Sequence, residues 1–270
     1  MVHLRSVELR GTCSDGAGFP FSIPIIQSLT HLEFVSPVTF LVGDNGSGKS
    51  TMLEALAHGA NLPTVGSVHA ERDDSLSHIR RLAGCLKLAW TRKTHRGFFM
   101  RSEDFFGYAK KQAQMREELQ ADLDRAEEEY RDRSSTAREF ARMPYLTELG
   151  GMKRQYGGKD LDSYSHGESY LTLFQSRFVP DGLYLLDEPE APLSPMRQLS
   201  FLVLLKSMLD QNAQFIIATH SPIIMAFPGA VILSFDHGRI EPTDFEKLDH
   251  VLITRTFLNN PGRYLSHLLE

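Results

Sequence analysis

The strongest chemical signal in the sequence is a glycine-rich run that fits the pattern G-x-x-x-x-G-K-[ST]. Its members are Gly43, Asp44, Asn45, Gly46, Ser47, Gly48, Lys49 and Ser50. Glycines let the backbone curl until successive N–H groups point at phosphate oxygens, and a helix N-terminus adds partial positive charge. In this pattern the lysine reaches the terminal phosphates and the hydroxyl residue binds Mg²⁺. The run therefore predicts a site for a nucleoside triphosphate and magnesium, and an ordinary glycine turn is the alternative.

Two adjacent carboxylates follow an apolar run later in the chain. Residues 183–186 are typical of a buried strand, and Asp187 and Glu188 come directly after them. Because the carboxyl ends of parallel strands face the ligand crevice, we expect Asp187 beside the glycine-rich run, where it can bind Mg²⁺ through water. Glu188 then stands next to the γ-phosphate and can orient and partly deprotonate the attacking water. An acidic surface turn is the alternative interpretation.

A histidine occupies the corresponding place after a third apolar run. Residues 215–218 are typical of another buried strand, and Thr219 and His220 follow it. A side chain at the carboxyl end of this strand is expected to project into the same crevice. His220 is therefore a candidate functional residue, and a purely structural histidine is the alternative.

These motifs require a fold that alternates strands with helices. Strands are expected at Leu4–Leu9, Val38–Val42, Leu86–Trp90, Leu183–Leu186, Phe215–Ala218 and Val231–Phe235. Helical spacing is clearest at Ser50–His58 and Met196–Leu209. The alternation predicts an α/β protein with a mostly parallel sheet and helices packed on it.

Residues 108–143 form a different kind of segment. Apolar side chains recur there at helical spacing inside a highly charged stretch that lacks glycine. We expect one helix of about 25 residues, roughly 38 Å long. A break is expected near Ser134, followed by a second helical piece that ends near Pro144. The simplest interpretation is a helical excursion that packs on its own domain.

The composition excludes a transmembrane protein. The chain has 270 residues, of which 41% are hydrophobic and 23% charged, values near the average for globular proteins. Its apolar runs stop far short of the ~20 residues that cross a bilayer. Charged and apolar residues alternate within Met1–Arg10, so no signal peptide is expected there. We therefore expect a cytoplasmic protein without a membrane span.

Taken together, the motifs resemble the ATPase core of the ABC superfamily. The segment Ser165-His166-Gly167-Glu168-Ser169 adds to this resemblance, because it stands where that core carries its signature loop. Within the superfamily the chain is most similar to the branch without membrane subunits: SMC-type, RecF-like and OLD-like ATPases and small stand-alone bacterial ATPases. The resemblance implies a P-loop NTPase fold with a mostly parallel sheet and a helical signature lobe.

The resemblance also implies how the site is completed. In this superfamily the signature loop of one subunit caps the ATP held by the phosphate loop of the other. Ser165, Gly167 and Glu168 are thus expected to contact ATP across the interface of an ATP-dependent homodimer. Thr51 is expected among the nucleotide-binding residues, and Ser50 and Asp187 are the expected Mg²⁺ ligands. The catalytic roles fall to Glu188, Lys49 and His220.

Some positions depart from the transporter pattern of this superfamily. Transporter ATPases carry Leu-Ser-Gly-Gly-Gln at the signature, whereas this chain has His166 in place of a glycine and Glu168 in place of the glutamine. No glutamine follows the expected strand Gly97–Arg101, where Ser102 or Glu103 stands instead. That glutamine loop relays to membrane subunits, so its absence weighs against a transporter role.

The sequence predicts a single ABC-type ATPase domain over residues 1–270. Its expected parts are a nucleotide-binding core at 1–75 and 175–250, a helical signature lobe at 76–174 that contains the excursion at 108–143, and a C-terminal helix at 251–270.

The distribution of charge favours a nucleic-acid partner. The net charge is −5, yet residues 80–116 sum to +8 and residues 117–132 to −6. The aromatic residues interleaved with the basic stretch, which could stack on bases, are Trp90, Phe98, Phe99, Phe105 and Phe106. DNA or a nucleic-acid enzyme is therefore the expected partner, and a solvated charged face is the alternative.

The leading hypothesis is a Mg²⁺-dependent ATPase whose dimer closes on ATP and opens on hydrolysis, in DNA repair, maintenance or defence. One alternative is the nucleotide-binding subunit of a membrane transporter. Another is a slow ATP-gated clamp that recruits an effector nuclease.

Overall fold

The computed structural model describes residues 1–10, 18–65, 77–155 and 166–269. The strands are β1 (Leu4–Leu9), β2 (His31–Glu33), β3 (Val38–Val42), β4 (Leu86–Trp90), β5 (Gly97–Arg101), β6 (Leu183–Asp187), β7 (Gln214–Ala218), β8 (Val231–Ser234) and β9 (Glu241–Thr243). The helices are α1 (Pro24–Ser28), α2 (Lys49–Ala60), α3 (Ser77–Cys85), α4 (Ser102–Glu129), α5 (Ser135–Gln155), α6 (His166–Arg177), α7 (Pro195–Leu209), α8 (Pro222–Met225), α9 (Asp249–Asn259) and α10 (Pro261–Leu268).

The central element is a six-stranded sheet in the order β5-β6-β7-β3-β8-β9. Its strands are parallel except β9, which pairs antiparallel with β8 at the edge. Alternate residues enter different cores: Phe40 and Ile217 face one apolar cluster, whereas Leu41 and Ile216 face the other. Both faces of the sheet are thus covered, as parallel sheets require. The predicted α/β fold with a mostly parallel sheet is confirmed.

A second, antiparallel sheet in the order β2-β1-β4 lies on the other side of α2. The core that α2 shares with this sheet contains Leu4, Leu56 and Ile216, so the helix is covered by both sheets. The buried Gln214 side chain ties the sheets together. Its Oε1 accepts from the His3 and Leu4 N–H groups at 2.7 and 2.8 Å, and its Nε2 donates to the Leu4 carbonyl at 3.0 Å.

The boundary of the helical lobe differs from the sequence prediction. β5 pairs in parallel with β6 along its whole length, from Gly97 opposite Leu183 to Arg101 opposite Asp187. β4 pairs with β1 in the antiparallel sheet. Residues 86–101 therefore belong to the nucleotide-binding core, and the long helices of the lobe begin at Ser102. The apolar spacing of both strands was visible in the sequence, but their partners were not.

The helical excursion is longer than predicted. The expected break lies before Ser135, yet α5 continues through Pro144 to Gln155, so the predicted end near Pro144 is wrong. Proline removes one hydrogen bond to the carbonyl four residues earlier, that of Phe140. Since Phe140 is 70% exposed, water can satisfy this carbonyl. The Thr147 hydroxyl donates to the Met143 carbonyl at 2.7 Å and supports the turn around the proline.

The C-terminal region contains two helices where the sequence predicts one over 251–270. α9 ends at Asn259 and α10 begins at Pro261. The Asn260 side chain accepts from the Arg263 N–H at 3.2 Å and caps the second helix. Proline is favoured in the first turn of a helix and unfavourable inside one. Pro261 therefore starts a new helix, and the break falls at Asn260.

Gly97 is the tightest point of the contact between β5 and β6. Its φ is +118°, and a Cβ at this position would lie 1.8 Å from the Leu183 carbonyl oxygen. We expect Gly97→Ala to lower the free energy of unfolding by at least about 2 kcal/mol, because the backbone must move. A methyl group added to Gly107 in α4 would meet no other described atom within 4 Å, so Gly107→Ala is the control and should raise stability by up to about 1 kcal/mol. Urea unfolding measures the stability of both variants, and equal midpoints would contradict the tight contact at Gly97.

Candidate functional site

The carboxyl ends of three neighbouring strands bring the predicted motifs together. β7 lies between β3 and β6, and Ala218 is level with both Leu41 and Asp187. The glycine-rich run therefore leaves β3 beside Thr219 and His220 and close to the Asp187–Glu188 turn. Parallel strands place ligands at this edge of a sheet.

The glycine-rich run forms a loop that requires its glycines. Gly43, Gly46 and Gly48 have φ values of +143°, +81° and +100°, which side chains with a Cβ rarely adopt. A Cβ on Gly43 would also lie 2.9 Å from Asp236 Oδ1. α2 starts at Lys49 without a side-chain cap at Gly48, so the N–H groups of its first turn remain available to an anion.

Asp236 supports this loop from the end of β8, a role that the sequence analysis missed. Its Oδ1 accepts from the Asp44 N–H at 3.1 Å, and its Oδ2 accepts from the Ser234 hydroxyl at 2.8 Å. No motif in the sequence singles out Asp236, because the contact joins residues that are remote along the chain.

Lys49 is folded back onto its own loop. Its Nζ donates to the Gly43 carbonyl at 2.6 Å and to the Asp44 carbonyl at 2.9 Å. Burial lowers the pKa of Lys49, and the carboxylates of Asp187 and Glu188 oppose that shift. The ammonium group is thus held beside the phosphate cradle by carbonyl acceptors that a triphosphate can replace.

Asp187 is buried and faces the start of α2. Burial raises the pKa of this carboxyl group, while a hydrogen bond from the Ser50 side chain lowers it. Its Oδ1 has no hydrogen-bond partner among the residues that the structure describes. The unpartnered Asp187 oxygen and the neighbouring Ser50 hydroxyl are two hard oxygen ligands, a type that suits Mg²⁺.

Arg101 is a further charged residue of the site that the sequence analysis did not identify. It ends β5 level with Asp187, forms an ion pair with Glu54 of α2, and brings its Nε within 4.0 Å of Asp187 Oδ2. Its positive charge lowers the pKa of Asp187 and so opposes the effect of burial. The guanidinium group therefore keeps positive charge beside the carboxylate.

Glu188 and His220 meet at the mouth of the site. Glu188 Oε1 lies 3.7 Å from His220 Nε2, and the Glu188 side chain is 49% exposed. Its φ of +49° is unfavourable for a residue with a Cβ, and its N–H donates to the Ala218 carbonyl at 2.9 Å. The buried Glu190 carboxylate accepts from the His220 N–H at 2.6 Å. The turn thus directs the Glu188 carboxylate towards solvent, while the Glu190 carboxylate holds the backbone of His220 by a hydrogen bond.

Ser102 links the helical lobe to this turn. It stands where the sequence analysis noted the absent glutamine, and its hydroxyl donates to the Glu188 carbonyl. Its Oγ also lies 3.1 Å from the buried hydroxyl of Tyr170 in α6. α4 and α6 are therefore connected to the backbone of Glu188 through two hydroxyl groups.

The predicted signature residues are described only in part. Ser165 lies outside the described residues, and Gly167 lies in the first turn of α6. Glu168, also in that turn, forms an ion pair with Arg197 of α7. Their contact with a nucleotide stays a prediction.

Three aromatic side chains of the basic stretch are not presented to solvent. Phe98, Phe99 and Phe105 are all buried in the two cores, with at most 4% exposed, so the expectation that they stack on bases is wrong. Apolar burial, worth about 2–3 kcal/mol for such a side chain, explains their positions. Two of the basic side chains, Arg92 and Arg96, lie within 3.4 and 3.9 Å of the Asp181 carboxylate.

A parallel sheet whose strand ends carry a phosphate loop, a pair of carboxylates and a histidine defines a P-loop nucleoside triphosphatase. Residues 35–191 match the family model described as ABC transporter. This match covers more than half of the chain, so the chain belongs to that family. It is an ABC-type ATPase that binds and hydrolyses ATP.

Curated relatives of the chain include transport proteins. The hemin import ATP-binding protein HmuV of Pseudomonas entomophila (strain L48) is 28% identical over 215 residues, which cover 76% of this chain and 74% of that protein. The ABC-type organic anion transporter ABCA8B of Mus musculus is 32% identical over 85 residues, which cover 32% of this chain. The matched part spans 5% of the length of the mouse protein.

Solved structures similar to this chain include an Smc head domain and an ABC transporter. An Smc head domain from Pyrococcus furiosus, bound to the C-terminal domain of ScpA, has 14% identity and a TM-score of 0.48, with 95% of this chain and 100% of that chain covered. A putative metal-chelate type ABC transporter has 17% identity and a TM-score of 0.48, with 94% and 88% covered. Both TM-scores lie below 0.5, so the family assignment rests on the family match.

The helices do not meet the requirements of a membrane span. None of those in the described ranges has both the length and the apolarity that crossing a bilayer demands.

The hydroxyl pair of Ser102 and Tyr170 gives a test of the link to the lobe. Ser102→Ala leaves the buried Tyr170 hydroxyl without this partner and should cost about 1–3 kcal/mol of stability. It should also lower kcat, because the Glu188 carbonyl loses its donor. Combining it with Tyr170→Phe removes the orphaned hydroxyl, so the double variant should be more stable than the sum of the singles by about 1 kcal/mol.

Urea unfolding and steady-state ATPase rates measure this cycle, with Ser200→Ala on the exposed side of α7 as the control. Additive effects of the two substitutions would contradict the hydroxyl link.

Proposed function

We propose that the protein is a Mg²⁺-dependent ATPase that works as a head-to-tail homodimer, closing around ATP and opening after hydrolysis. The observation that carries this proposal is the meeting of Glu188 and His220, 3.7 Å apart, at the open mouth of the phosphate loop. A carboxylate and an imidazole that converge beside the phosphate loop can act on the water and on the γ-phosphate together.

Glu188 acts on the attacking water. Its carboxylate is half exposed and is held outward by the left-handed turn, so it can accept a hydrogen bond from water beside the phosphate loop. His220 Nε2 is buried without a hydrogen-bond partner in the described residues and points at the same region. It is available to donate to a γ-phosphate oxygen. Lys49 exchanges its carbonyl acceptors for phosphate oxygens when ATP enters.

The residues around Asp187 fit a magnesium ion shared with the nucleotide. Among the described residues, no cluster of three or more His, Cys, Asp or Glu side chains could hold a metal by itself. Ser50 and Asp187 instead offer two oxygen ligands, and Mg²⁺ commonly takes its other ligands from phosphates and water. When bound, the ion neutralises charge that develops on the phosphates.

A site that is open on one side supports the proposed dimer. The tip of the phosphate loop, from Asp44 to Gly46, is exposed, and Glu188 faces the same solvent. In a closed dimer, Ser165 and Gly167 of a second copy would cover the γ-phosphate. Hydrolysis removes the group that both subunits bind, so the affinity between them falls and the dimer opens.

Two processes are candidates for the work that this ATPase cycle drives. The first is membrane transport, with the chain as the ATP-binding subunit; the family description and the similarity to a hemin import ATP-binding protein support it. The second is work on DNA in the SMC-, RecF- or OLD-like branch, supported by the +8 charge of residues 80–116 and by Ser102 in place of a glutamine. We favour the first, because Phe98, Phe99 and Phe105 are buried and offer no stacking surface.

Glu188→Gln tests the proposed cycle. The amide still fits the turn but accepts protons poorly, so ATP should bind normally while hydrolysis falls at least about 100-fold. The variant should accumulate as a dimer on size exclusion in ATP and Mg²⁺. Lys49→Ala is the matched control, since it should lose ATP affinity and stay in the nucleotide-free oligomeric state. Normal turnover by Glu188→Gln would remove Glu188 from catalysis.

DNA tests the choice between the two outputs. Because Phe98, Phe99 and Phe105 are buried and Arg92 and Arg96 are paired with Asp181, we expect double- and single-stranded DNA to leave the ATPase rate unchanged within about twofold at low salt. The triple variant Arg92→Glu, Lys93→Glu, Arg96→Glu should behave as wild type. A several-fold stimulation by DNA that this variant loses would favour the DNA-associated role instead.

A further inference from the structure

The ring of His220 is held from behind by a second histidine. His220 Nδ1 lies 3.0 Å from Nε2 of His250, and the two ring centroids are 5.0 Å apart. His250 lies in the first turn of α9, 30 residues further along the chain. Leu248, which precedes the helix, and Val251 are buried in the core, so the start of α9 is anchored to it.

When both rings are neutral, a single N–H lies between His220 Nδ1 and His250 Nε2. Which ring donates it determines whether His220 Nε2 is protonated. A neutral imidazole has one N–H donor and one acceptor nitrogen. If His220 Nδ1 donates to His250, then His220 Nε2 presents a lone pair to the site. If His250 Nε2 donates, then His220 Nε2 carries the proton and points it into the site.

The groups in front of His220 select between these states. His220 Nε2 lies 3.7 Å from the Glu188 carboxylate, and no described residue forms a hydrogen bond to it. A lone pair facing a carboxylate and an incoming phosphate is repelled, whereas an N–H there is attracted. Burial, the nearby Lys49 ammonium and His250 lower the pKa of His220, which favours the neutral ring and makes the choice of tautomer matter.

We propose that His250 is a positioning residue that donates from Nε2 to His220 Nδ1 and thereby holds His220 as the Nε2–H tautomer that faces the γ-phosphate. This inference rests on the proposed role of His220. It also connects the first turn of α9 to hydrolysis, because displacement of this turn removes the donor.

The test compares two substitutions of His250. His250→Ala removes the donor, whereas His250→Gln keeps an N–H₂ group at a similar distance from the helix. We expect His250→Ala to lower kcat about fivefold to tenfold with little change in the KM for ATP, and His250→Gln to recover kcat to within about twofold of wild type. Ile253→Ala, on the exposed side of α9, is the control and should leave kcat unchanged.

Side-chain ¹⁵N NMR of histidine-labelled protein reads the tautomer directly, with His220→Gln used to assign the signal. The wild type and His250→Gln should show His220 protonated at Nε2, and His250→Ala should show a mixture of tautomers. His220 protonated at Nδ1 in the wild type would overturn the proposal, and so would full kcat in His250→Ala.

His220→Ala distinguishes the proposed role of His220 from that of His250. If it hydrolyses ATP at the wild-type rate, the proposed role of His220 fails, and the role of His250 fails with it. If His220→Ala is impaired while His250→Ala is normal in both rate and tautomer, only the inference on His250 is overturned.

Discussion

The site depends on the parallel register of three strands. Ala218 at the end of β7 is level with Leu41 of β3 and with Asp187 of β6, so the chain leaves all three strands at one edge. Backbone hydrogen bonds extend this alignment past the strand ends: the Glu188 N–H donates to the Ala218 carbonyl and the Thr219 N–H to the Leu41 carbonyl. A shift of one residue would turn each functional side chain to the opposite face. The apolar cores on both faces oppose such a shift.

Electrostatics inside this edge are arranged around one buried cation. Lys49 is held by carbonyl oxygens of its own loop, and the charges of Asp187 and Glu188 raise its pKa against the effect of burial. Burial lowers the pKa of Lys49 and raises that of Asp187. The charged form of each group is therefore stabilised when a partner of opposite charge binds. In the function proposed above, a magnesium nucleotide supplies both partners at once, phosphate for the lysine and metal for the carboxylate. This complementarity explains why the loop and the acidic turn must lie together.

The sequence predicted the central strands and their motifs because their signals are local: apolar runs, glycine spacing and carboxylates directly after a strand. It failed where distant segments decide the outcome. Phe98 and Phe99 seemed to belong to a basic surface, but pairing of β5 with β6 buries them. Helix α5 passes through Pro144 because solvent satisfies the freed carbonyl, which local propensity does not reveal. His250 carries no motif, and only the packing of α9 brings it to His220.

The most direct test of the account is whether Glu188 and His220 act on the same phosphate. Single-turnover hydrolysis should be measured at saturating ATP for Glu188→Gln, His220→Ala and the double variant. Residues that act as one unit give non-additive losses, so the double variant should hydrolyse ATP no more than about twofold more slowly than the slower single. If the two losses multiply, the side chains act independently, and the single site at the ends of β6 and β7 is contradicted.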